Sequence, residues 1–460
     1  MPNDEHLHRL RKGGRRKKKR KQNAPTLVLP LIGVALGMLF LVWCVISFQT
    51  LTGDQYIPAA GASPNVAGSS PFLLNKDAIR RVPDFDKNNN NNNSNNNGLL
   101  QLQPYQSPLL IFTCSRANYL TETLDNILQH IPTACRMGCP IVVTQDQDDV
   151  AVTETIERFK RKFEAKGVPF FHIRHDAASP NLRGNAYQKL AVHYGWALRT
   201  LFDGKAYEQY PLPERVIILE EDLRIAPDFF DYFEATAPLL DKDPNLLAVS
   251  AFNDNGYEGT VADPKRLLRS DFFPGLGWMM TRKTWIEDIG VKWPNGYWDD
   301  WLREPAQRQD RQFIRPEITR TFHFGDKGGA SRNQFGGNHH RIMLNKDPVD
   351  WNAQDLSYLE DKTFAQNYAT LVANAQVAGS PQEALPIVKG GRNARVEYTD
   401  KGHFARTAQR LNLMTDEKAM IYRTAYKGVV ETRPFGQSLL FLTPPLKALK
   451  ANFGNAWPNE

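Results

Sequence analysis

The stretch from residue 216 to residue 222, Val-Ile-Ile-Leu-Glu-Glu-Asp, constrains the fold of this chain more than any other feature. Its four branched apolar residues predict a buried strand. Three carboxylates, Glu220, Glu221 and Asp222, follow the strand directly. Because the carboxyl ends of strands in an α/β sheet open into the crevice where ligands bind, we expect these carboxylates to line a binding site.

Two interpretations of the carboxylate cluster are open at this point. Clustered carboxylates repel one another unless a cation neutralises them, and a hard divalent ion that bridges protein carboxylate and substrate phosphate would do so. Acidic residues are also common in the first turn of a helix, so the cluster equally fits a solvated acidic turn. The segment by itself favours neither interpretation.

The net charge of +7 is concentrated at the N-terminus. Residues 1–23 carry ten Lys or Arg against two acidic residues, so the rest of the chain is close to neutral. A general basic face for nucleic acid is therefore excluded, and we expect no nucleic-acid partner. A nuclear-import patch is the alternative explanation of this basic run, and the apolar segment that follows it argues against that alternative.

Residues 27–48 contain no charged side chain. A helix of this length spans roughly 33 Å, which is enough to cross the hydrocarbon core of a lipid bilayer. A cleaved signal peptide would have a shorter apolar region, of about 7–15 residues. Because the basic residues precede the span, the N-terminus is expected in the cytosol. We therefore predict a basic cytoplasmic tail over residues 1–23 and a transmembrane signal-anchor over residues 24–48.

Residues 49–106 are predicted to form a disordered stem. They include a polar tract at residues 88–97 that consists of Asn with a single Ser. Such a tract cannot bury enough apolar surface to offset the entropy lost on ordering. The sequon Asn92-Asn93-Ser94 lies where a glycan would be tolerated. Tail, span and stem are typical of a type II membrane protein with the bulk of the chain on the lumenal side, an outline that also suits Golgi-resident enzymes.

Cysteines are few beyond the predicted span. Cys114, Cys135 and Cys139 are an odd number, so at most one intrachain disulfide forms among them. They also lack the paired spacing of a structural zinc site.

Predicted strands and helices alternate from residue 107 onward. The strands are predicted at residues 109–113, 141–144, 170–173, 216–219 and 246–252, and the helices at residues 118–130, 153–166 and 185–202. This alternation predicts an α/β domain over residues 107–325 with a mostly parallel, doubly wound sheet. Residues 356–460 are less regular and are expected to form a smaller C-terminal α+β domain.

Polar side chains follow three of the predicted strands. Ser115 and Arg116 follow the first strand, Gln145 and Asp146 the second, and the acidic cluster the fourth. Any one of these residues would also serve as a cap. Three such sets on the same edge of a sheet are what a nucleotide site requires.

Several long motifs follow one another in a characteristic order. They are residues 219–233, residues 249–256 (Val-Ser-Ala-Phe-Asn-Asp-Asn-Gly), residues 271–278 (Asp-Phe-Phe-Pro-Gly-Leu-Gly-Trp), residues 298–301 (Trp-Asp-Asp-Trp) and residues 314–320 (Ile-Arg-Pro-Glu-Ile-Thr-Arg). On these motifs the chain resembles the inverting β-1,2-N-acetylglucosaminyltransferases of glycosyltransferase family 13. The resemblance covers nearly all of residues 107–460. It implies a GT-A-like nucleotide-sugar-binding fold with UDP-GlcNAc as the donor.

The resemblance assigns roles to three residues at the nucleotide end of the site. Arg116 is expected to meet the donor phosphates, a role that suits a fixed cation with several donors. Asp146 and His193 match the pair that contacts the uracil. Without the resemblance, His193 in its predicted helix would be interpreted as a core or cap histidine.

The resemblance also implies a separate role for each carboxylate of the acidic cluster. Asp222 matches the sole direct protein ligand of a metal expected to be Mn²⁺, with diphosphate oxygens and waters completing the oxygen shell. Glu220 matches an acidic residue near the sugar hydroxyls. Glu221 stands where the family usually has an Asp that touches the ribose, so the extra methylene is expected to shift or weaken that hydrogen bond.

At the sugar end, Trp298 and Asp299 match the residues that flank the transferred sugar, with Asp299 as the general base. From the residues alone, an aromatic core turn with two solvated carboxylates is the alternative. Leu276 matches an apolar wall of the sugar pocket. Residues 326–355 are expected to form a mobile loop and linker, in which Ser331 points toward the phosphates once donor is bound.

The chain departs from the family at one cysteine position. Family members often carry a cysteine directly after the Asp146 equivalent, where this chain has Gln147. The bridge to Cys114 that the resemblance implies therefore cannot form as usual. A substitute bridge from Cys114 to Cys135 or Cys139 is left open.

The resemblance implies transfer of GlcNAc in β-1,2 linkage onto the α-1,3-arm mannose of an oligomannose N-glycan on glycoproteins. This is the first step toward hybrid and complex N-glycans. A related β-1,2-GlcNAc-transferase that acts on protein O-mannose is the alternative among enzymes. An inactive, lectin-like membrane module is the alternative from another class, and retention of Arg116, Asp146, Asp222 and Asp299 argues against it.

Overall fold

The computed structural model describes residues 107–133, 139–176, 185–207, 211–325 and 341–458. The predicted tail, membrane span and stem lie outside these ranges, as do Cys135, Ser331 and residues 326–340 of the predicted loop. Within the described ranges, no helix is both long enough and apolar enough to cross a membrane.

The main sheet has eight strands, and a two-stranded ribbon lies beside it. In chain order the strands of this region are β1 (Leu109–Thr113), β2 (Ile141–Asp146), β3 (Phe170–His175), β4 (Arg215–Glu220), β5 (Leu223–Ile225), β6 (Leu246–Ser250), β7 (Leu267–Ser270), β8 (Trp278–Thr281), β9 (Gln312–Pro316) and β10 (Thr321–His323). The order across the main sheet is β3-β2-β1-β4-β8-β6-β9-β7, and the ribbon pairs β5 with β10. β7 and β8 run antiparallel to their neighbours, while the other six strands share one direction.

Helices cover both faces of this sheet. α1 (Ala117–His130) and α2 (Val150–Ala165) share one core cluster with Leu109 and Ile111 of β1. α3 (Ala186–Phe202) shares a second cluster with Leu110 and Phe112 on the opposite face. Because successive residues of a strand point to opposite faces, a strand covered on both sides is apolar at consecutive positions, as β1 is from residue 109 to residue 112.

Shorter helices complete this region. They are α4 (Phe229–Lys242), α5 (Arg282–Thr284), which continues into a π-helical turn at Trp285–Ile289, α6 (Trp298–Arg303) and α7 (Pro305–Arg308).

The predicted α/β class with a mostly parallel, doubly wound sheet is confirmed. The sheet is mixed, however, because the antiparallel strands β7 and β8 were not predicted. Each has four residues, all or nearly all buried, which is too short for a periodic pattern to distinguish strand from helix. Helix α2 begins three residues earlier than predicted, because the Asp149 side chain accepts a hydrogen bond from Val152 N and caps it there.

The C-terminal segment forms a second, four-stranded sheet. In chain order the elements of this segment are α8 (Asp361–Ala373), β11 (Gln376–Ala378), α9 (Pro381–Lys389), β12 (Ala394–Glu397), α10 (Lys401–Arg410), β13 (Glu417–Lys418), β14 (Ile421–Tyr422), β15 (Val430–Thr432), β16 (Leu440–Thr443) and α11 (Leu446–Phe453). The sheet order is β11-β12-β16-β15, and only β15 is antiparallel. This arrangement differs from the expected α+β layout, because α9, which was not predicted, joins the parallel strands β11 and β12.

The two sheets share a hydrophobic core. Phe364 and Tyr368 of α8 belong to the same buried cluster as Leu267 and Leu268 of β7. A buried hydrogen bond of 3.0 Å from Arg269 Nη1 to the Leu359 carbonyl also joins the two parts. The C-terminal domain that was predicted to begin at residue 356 therefore has its own sheet but shares a hydrophobic core with the main sheet.

The sequence left open a disulfide from Cys114 to Cys135 or Cys139, and the structure does not contain it. Cys114 carries a free thiol, and Cys139 is disulfide-bonded. The substitute bridge to Cys114 therefore does not form. Burial raises the pKa of the Cys114 thiol, and the nearby Asp146 and Glu221 carboxylates raise it further.

Candidate active site

A cavity of about 350 Å³ opens at the carboxyl ends of β1, β2 and β4. Nine of the ten residues predicted for the site line it, and the tenth, Ser331, lies outside the described residues. The nine are Arg116, Asp146, His193, Glu220, Glu221, Asp222, Leu276, Trp298 and Asp299. They come from positions as far apart in the chain as Arg116 and Asp299, so the fold alone brings them together.

Arg116 bridges two consecutive carboxylates of the acidic cluster. Its Nη2 lies 2.6 Å from Glu221 Oε1, and its Nη1 lies 2.9 Å from Asp222 Oδ2. The strand register explains this contact, because Phe112 of β1 pairs with Glu220 of β4. The residues that follow each strand are therefore neighbours at the sheet edge.

His323 contacts the same Asp222 oxygen as Arg116. In the β5–β10 ribbon His323 pairs with Leu223, which places its Nε2 3.3 Å from Asp222 Oδ2. His323 was not predicted from the sequence. No local pattern around residue 323 distinguishes it, since its position depends on an antiparallel pairing with residues a hundred positions earlier.

The three carboxylates differ in how readily they hold charge. Burial raises the pKa of Glu221 to about 7, helped by the charge of Asp222 and opposed by Arg116. Burial and the charge of Asp222 also raise the pKa of Glu220. Burial acts on Asp222 in the same direction, but the hydrogen bond and charge of His323, together with Arg116, outweigh it and lower the pKa of Asp222. The negative charge is thus held most firmly on Asp222.

The surroundings of Asp222 fit a metal ligand. Its Oδ1 is buried and has no hydrogen-bond partner among the described residues. The backbone of Gly325 lies so close that a Cβ there would come within 2.9 Å of Asp222 Cγ. No group of three or more His, Cys, Asp or Glu side chains in the described part of the chain is arranged to hold a metal. A lone carboxylate oxygen suits a hard cation that takes its other ligands from phosphate oxygens and water.

Two histidines lie against the carboxyl end of β2. His175 Nδ1 lies 2.9 Å from Asp146 Oδ1, and its ring stacks on that of His193 with centroids 5.7 Å apart. His193 Nε2 lies 2.7 Å from Thr144 Oγ1. Burial lowers the pKa of His193 to about 3, so its imidazole is neutral near pH 7. His193 is thus both a buried histidine and a lining residue of the cavity, while His175 was not predicted.

The Trp-Asp-Asp-Trp segment combines both interpretations that its sequence allowed. Trp298 is only 5% exposed, and its ring stacks on Tyr194 and Trp278 at centroid distances of 4.6 and 5.7 Å. Asp299 has a side chain that is 38% exposed, and its Oδ2 lies 2.9 Å from Arg303 Nη1. Trp298 therefore anchors the segment in the core and presents the Asp299 carboxylate to the cavity.

Tyr194 connects the acidic cluster to this aromatic stack. Its hydroxyl donates a hydrogen bond of 2.7 Å to Glu220 Oε1. Its ring lies between Phe112, 3.7 Å away, and Trp298, 4.6 Å away. Tyr194 follows His193 on α3 and was not predicted to belong to the site.

Leu276 reaches the cavity through an unusual backbone conformation. Its φ is +49°, and its neighbours Gly275 and Gly277 have φ of +69° and +93°. Hydrogen bonds from Ser250 Oγ to the Gly275 carbonyl (2.9 Å) and from Thr321 Oγ1 to the Leu276 carbonyl (2.5 Å) hold this turn. A left-handed conformation costs a residue with a Cβ about 1–3 kcal/mol, so the fold stabilises a position that places Leu276 at the cavity wall.

Comparison with known proteins identifies a family that this chain matches. The model of the GNT-I family matches residues 77–457. Over 349 residues, 76% of each chain, the sequence is 38% identical to the alpha-1,3-mannosyl-glycoprotein 2-beta-N-acetylglucosaminyltransferase of Arabidopsis thaliana.

Solved structures give weaker matches. The mannosyltransferase PcManGT from Pyrobaculum calidifontis, in complex with GDP-Man and Mn²⁺, has 14% identity and a TM-score of 0.28, covering 62% of this chain and 68% of its own. The galactosyltransferase LgtC, in complex with donor and acceptor sugar analogues, has 12% identity and a TM-score of 0.27, covering 52% and 72%.

Proposed function

The chain belongs to the GNT-I family, and on that premise we propose that it transfers N-acetylglucosamine from UDP-GlcNAc, in β-1,2 linkage, onto the α-1,3-arm mannose of an oligomannose N-glycan. The observation that carries the proposal is that Asp222 and Asp299, the expected metal ligand and general base, line the same cavity. An inverting transferase needs a site for the leaving group and a base for the attacking hydroxyl.

We assign the donor to the carboxyl ends of β1, β2 and β4, in the manner of a GT-A-like fold. Asp146 and His193 contact the uracil, and Glu221 the ribose. Arg116 contacts the diphosphate. Glu220 contacts the sugar hydroxyls; Leu276 and Trp298 form the walls of the sugar pocket. Ser331, outside the described residues, stays a prediction for the phosphates.

Asp222 would hold the divalent ion, for which we propose Mn²⁺, since its Oδ1 has no hydrogen-bond partner among the described residues. When bound, the ion supplies positive charge beside the diphosphate leaving group. Arg116 acts in the same sense, because its guanidinium is fixed between Glu221 and Asp222 at the same edge of the sheet. A fixed cation in a buried site needs no reorganisation while charge develops.

Asp299 acts as the general base. It accepts the proton of the mannose 2-hydroxyl while that oxygen bonds to the anomeric carbon of GlcNAc and the bond from that carbon to UDP breaks. Arg303, 2.9 Å from Asp299 Oδ2, orients the carboxylate. A single displacement inverts the α-linked donor into a β-linked product, and no enzyme nucleophile is required.

The same proposal places the protein in the Golgi membrane as a single-pass type II protein. Its support is the charge pattern of residues 1–23, the uncharged run at residues 27–48 and the polar stem, all of which are sequence features. Glycoproteins that carry oligomannose N-glycans are the expected partners.

An assay with two acceptors tests the proposed function. The purified full chain is incubated with UDP-GlcNAc, Mn²⁺ and either an oligomannose N-glycan or an O-mannosylated peptide, and the product linkage is determined by NMR. We expect β-1,2 transfer to the N-glycan that stops when EDTA is added. Preference for the O-mannosylated peptide would replace the proposed acceptor, and absence of transfer to both would reject the activity.

The metal ligand is tested with Asp222→Ala. We expect the variant to lose Mn²⁺-dependent UDP binding, measured by calorimetry. Asp288→Asn, which alters a carboxylate paired with Lys292 and Arg311 outside the cavity, is the matched control. Unchanged Mn²⁺ dependence in Asp222→Ala would reject the ligand assignment.

A further inference from the structure

We propose that Asp254 and Arg423 bind hydroxyl groups of the acceptor sugar and form an acceptor subsite in the same cavity. The inference rests on the proposed function, because it requires a sugar acceptor. Both residues line the cavity, and neither belongs to the set that the sequence analysis assigned to donor, metal or base.

Asp254 is a buried carboxylate, and only one of its two oxygens is paired with another described residue. The residue is 5% exposed, and its Oδ1 forms an ion pair with Arg423 Nη1. Its Oδ2 is buried and has no hydrogen-bond partner among the described residues. Leaving a buried charged acceptor unsatisfied is costly, so such an atom at a cavity wall points to a ligand that donates a hydrogen bond.

The loop around Asp254 is built to hold it in place. Asn253 Nδ2 donates to the Glu317 carbonyl at 2.7 Å, and Asn253 Oδ1 accepts from Asn255 N at 3.0 Å. Asn255 Oδ1 accepts from Met414 N at 2.8 Å. The two flanking amides are therefore used inside the protein, and Asp254 between them is the residue that lines the cavity.

Arg423 links Asp254 to the surroundings of the proposed base, Asp299. Its guanidinium lies over the Phe272 ring, 5.1 Å from the centroid, and the guanidinium of Arg303 lies over the same ring at 4.8 Å. Arg303 in turn contacts Asp299. Asp254 and Arg423 therefore lie on the side of the cavity where the acceptor hydroxyl must reach Asp299.

Two further contacts fix Arg423 in position. Asp416 Oδ1 and Oδ2 each accept from Arg423 Nε at 2.9 Å. On the same segment, Lys418 Nζ contacts Asp300 Oδ2 at 2.9 Å. The residues that follow α10 thus join the C-terminal sheet region to the segment that carries the base, which gives that region a direct part in the site.

The chemistry of the pair matches a sugar. A carboxylate only accepts hydrogen bonds and a guanidinium only donates them, whereas each sugar hydroxyl does both. A rigid carboxylate–guanidinium pair therefore suits neighbouring hydroxyls on one ring, and its charge strengthens each hydrogen bond. The donor diphosphate is already assigned to Arg116 at the carboxyl ends of β1 and β4, so an acceptor hexose is the better fit for Asp254 and Arg423.

The test uses the full chain in detergent and acceptors in which one hydroxyl of the target mannose, at C3, C4 or C6, is replaced by hydrogen. For the wild type we expect one deoxy acceptor to raise the acceptor KM about 10- to 100-fold. Asp254→Asn should raise the KM of the parent acceptor by a similar factor. That deoxy acceptor should then bring no further rise, while the KM for UDP-GlcNAc stays unchanged.

A merely structural role would give a different pattern. If every deoxy acceptor carries the same penalty in Asp254→Asn as in the wild type, or if the parent KM does not change, the proposal is overturned. Asp288→Asn, an arginine-paired carboxylate outside the cavity, is the control and should leave all acceptor KM values unchanged.

A second variant covers the case in which Asp254→Asn does not fold. Arg423→Lys keeps the positive charge and loses the planar fork. It should raise the parent acceptor KM and reduce the penalty of at least one deoxy acceptor; an unchanged deoxy pattern in the folded variant would overturn the proposal. A wild-type chain without transfer to any mannose acceptor would instead reject the proposed function on which this inference rests.

Discussion

The backbone of Gly325 lies directly against the Asp222 carboxylate: a Cβ on Gly325 would overlap Asp222 Oδ2 and come within 2.9 Å of Cγ. The amide of Phe324, one residue earlier, donates a hydrogen bond of 3.0 Å to the Asp222 carbonyl. The chain after β10 is therefore packed onto the proposed metal ligand with no room for a side chain.

Gly325→Ala should weaken metal use without unfolding the protein. The added methyl group forces the Asp222 carboxylate aside, and displaced support of a metal ligand costs about 10- to 100-fold in metal affinity or activity. The measurement is activity against Mn²⁺ concentration. Gly390→Ala, where the nearest atoms lie at an ordinary 3.4 Å, is the control. Equal Mn²⁺ dependence in both variants would contradict this prediction.

Asp299→Asn and Asp300→Asn should behave differently although the residues are adjacent. Both carboxylates contact Arg303 Nη1, at 2.9 and 2.8 Å. Asp299 lines the cavity and Asp300 does not. Loss of the general base should lower kcat by about 10²- to 10⁴-fold with unchanged UDP binding, whereas Asp300→Asn should retain most of its activity. An active Asp299→Asn enzyme would remove Asp299 from this role.

Trp298→Ala should destabilise the fold as well as reduce activity. The indole is buried and stacks on Tyr194, Trp278 and Trp293. Its removal should lower the free energy of unfolding by about 3–5 kcal/mol, through lost burial and the cavity left behind. Urea unfolding followed by fluorescence measures this change. A loss well below 1 kcal/mol would show that the stack does not support the fold.

His193 should make the fold less stable in acid. Burial lowers its pKa to about 3, against about 6.5 in the unfolded chain, while the Asp146 charge acts in the opposite direction. Between these values the unfolded state binds the extra proton, so this contribution to stability is lost as the pH falls below about 6.5. The loss should reach about 2 kcal/mol at pH 5, at about 1.4 kcal/mol per pH unit.

The pH effect is measured by comparing unfolding free energies of the wild type and His193→Gln from pH 8 to pH 5. The difference between the two proteins should be constant above pH 7 and should change by the stated amount below it. Parallel curves over the whole range would show that His193 does not control acid stability.

Much of the proposed donor side of the site was predictable from sequence. The apolar runs at β1, β2 and β4 end in polar residues, and parallel strands bring those ends to one sheet edge. Glu220, Glu221 and Asp222 are consecutive, so their shared location follows from one strand. Local periodicity was sufficient because each residue lies within three positions of a recognisable strand end.

Two residues around the site, His323 and Arg423, were not predictable in this way. His323 reaches Asp222 through the antiparallel β5–β10 pairing, and Arg423 reaches Asp254 across 169 residues of chain. Neither has a local pattern that indicates its role. The antiparallel strand β8, which separates β4 from β6 in the sheet, was missed because four buried residues carry no distinguishing period.

The sequence alone determined the α/β alternation, the strand-end polar sets and, through long ordered motifs, the family resemblance. Only the tertiary structure decided how the carboxylates differ. Arg116 and His323 lower the pKa of Asp222 and concentrate charge there, while burial raises the pKa of Glu220 and Glu221. The physical reason is that burial and charge pairing depend on residues from separate segments, and their distances are set by packing and not by position along the chain.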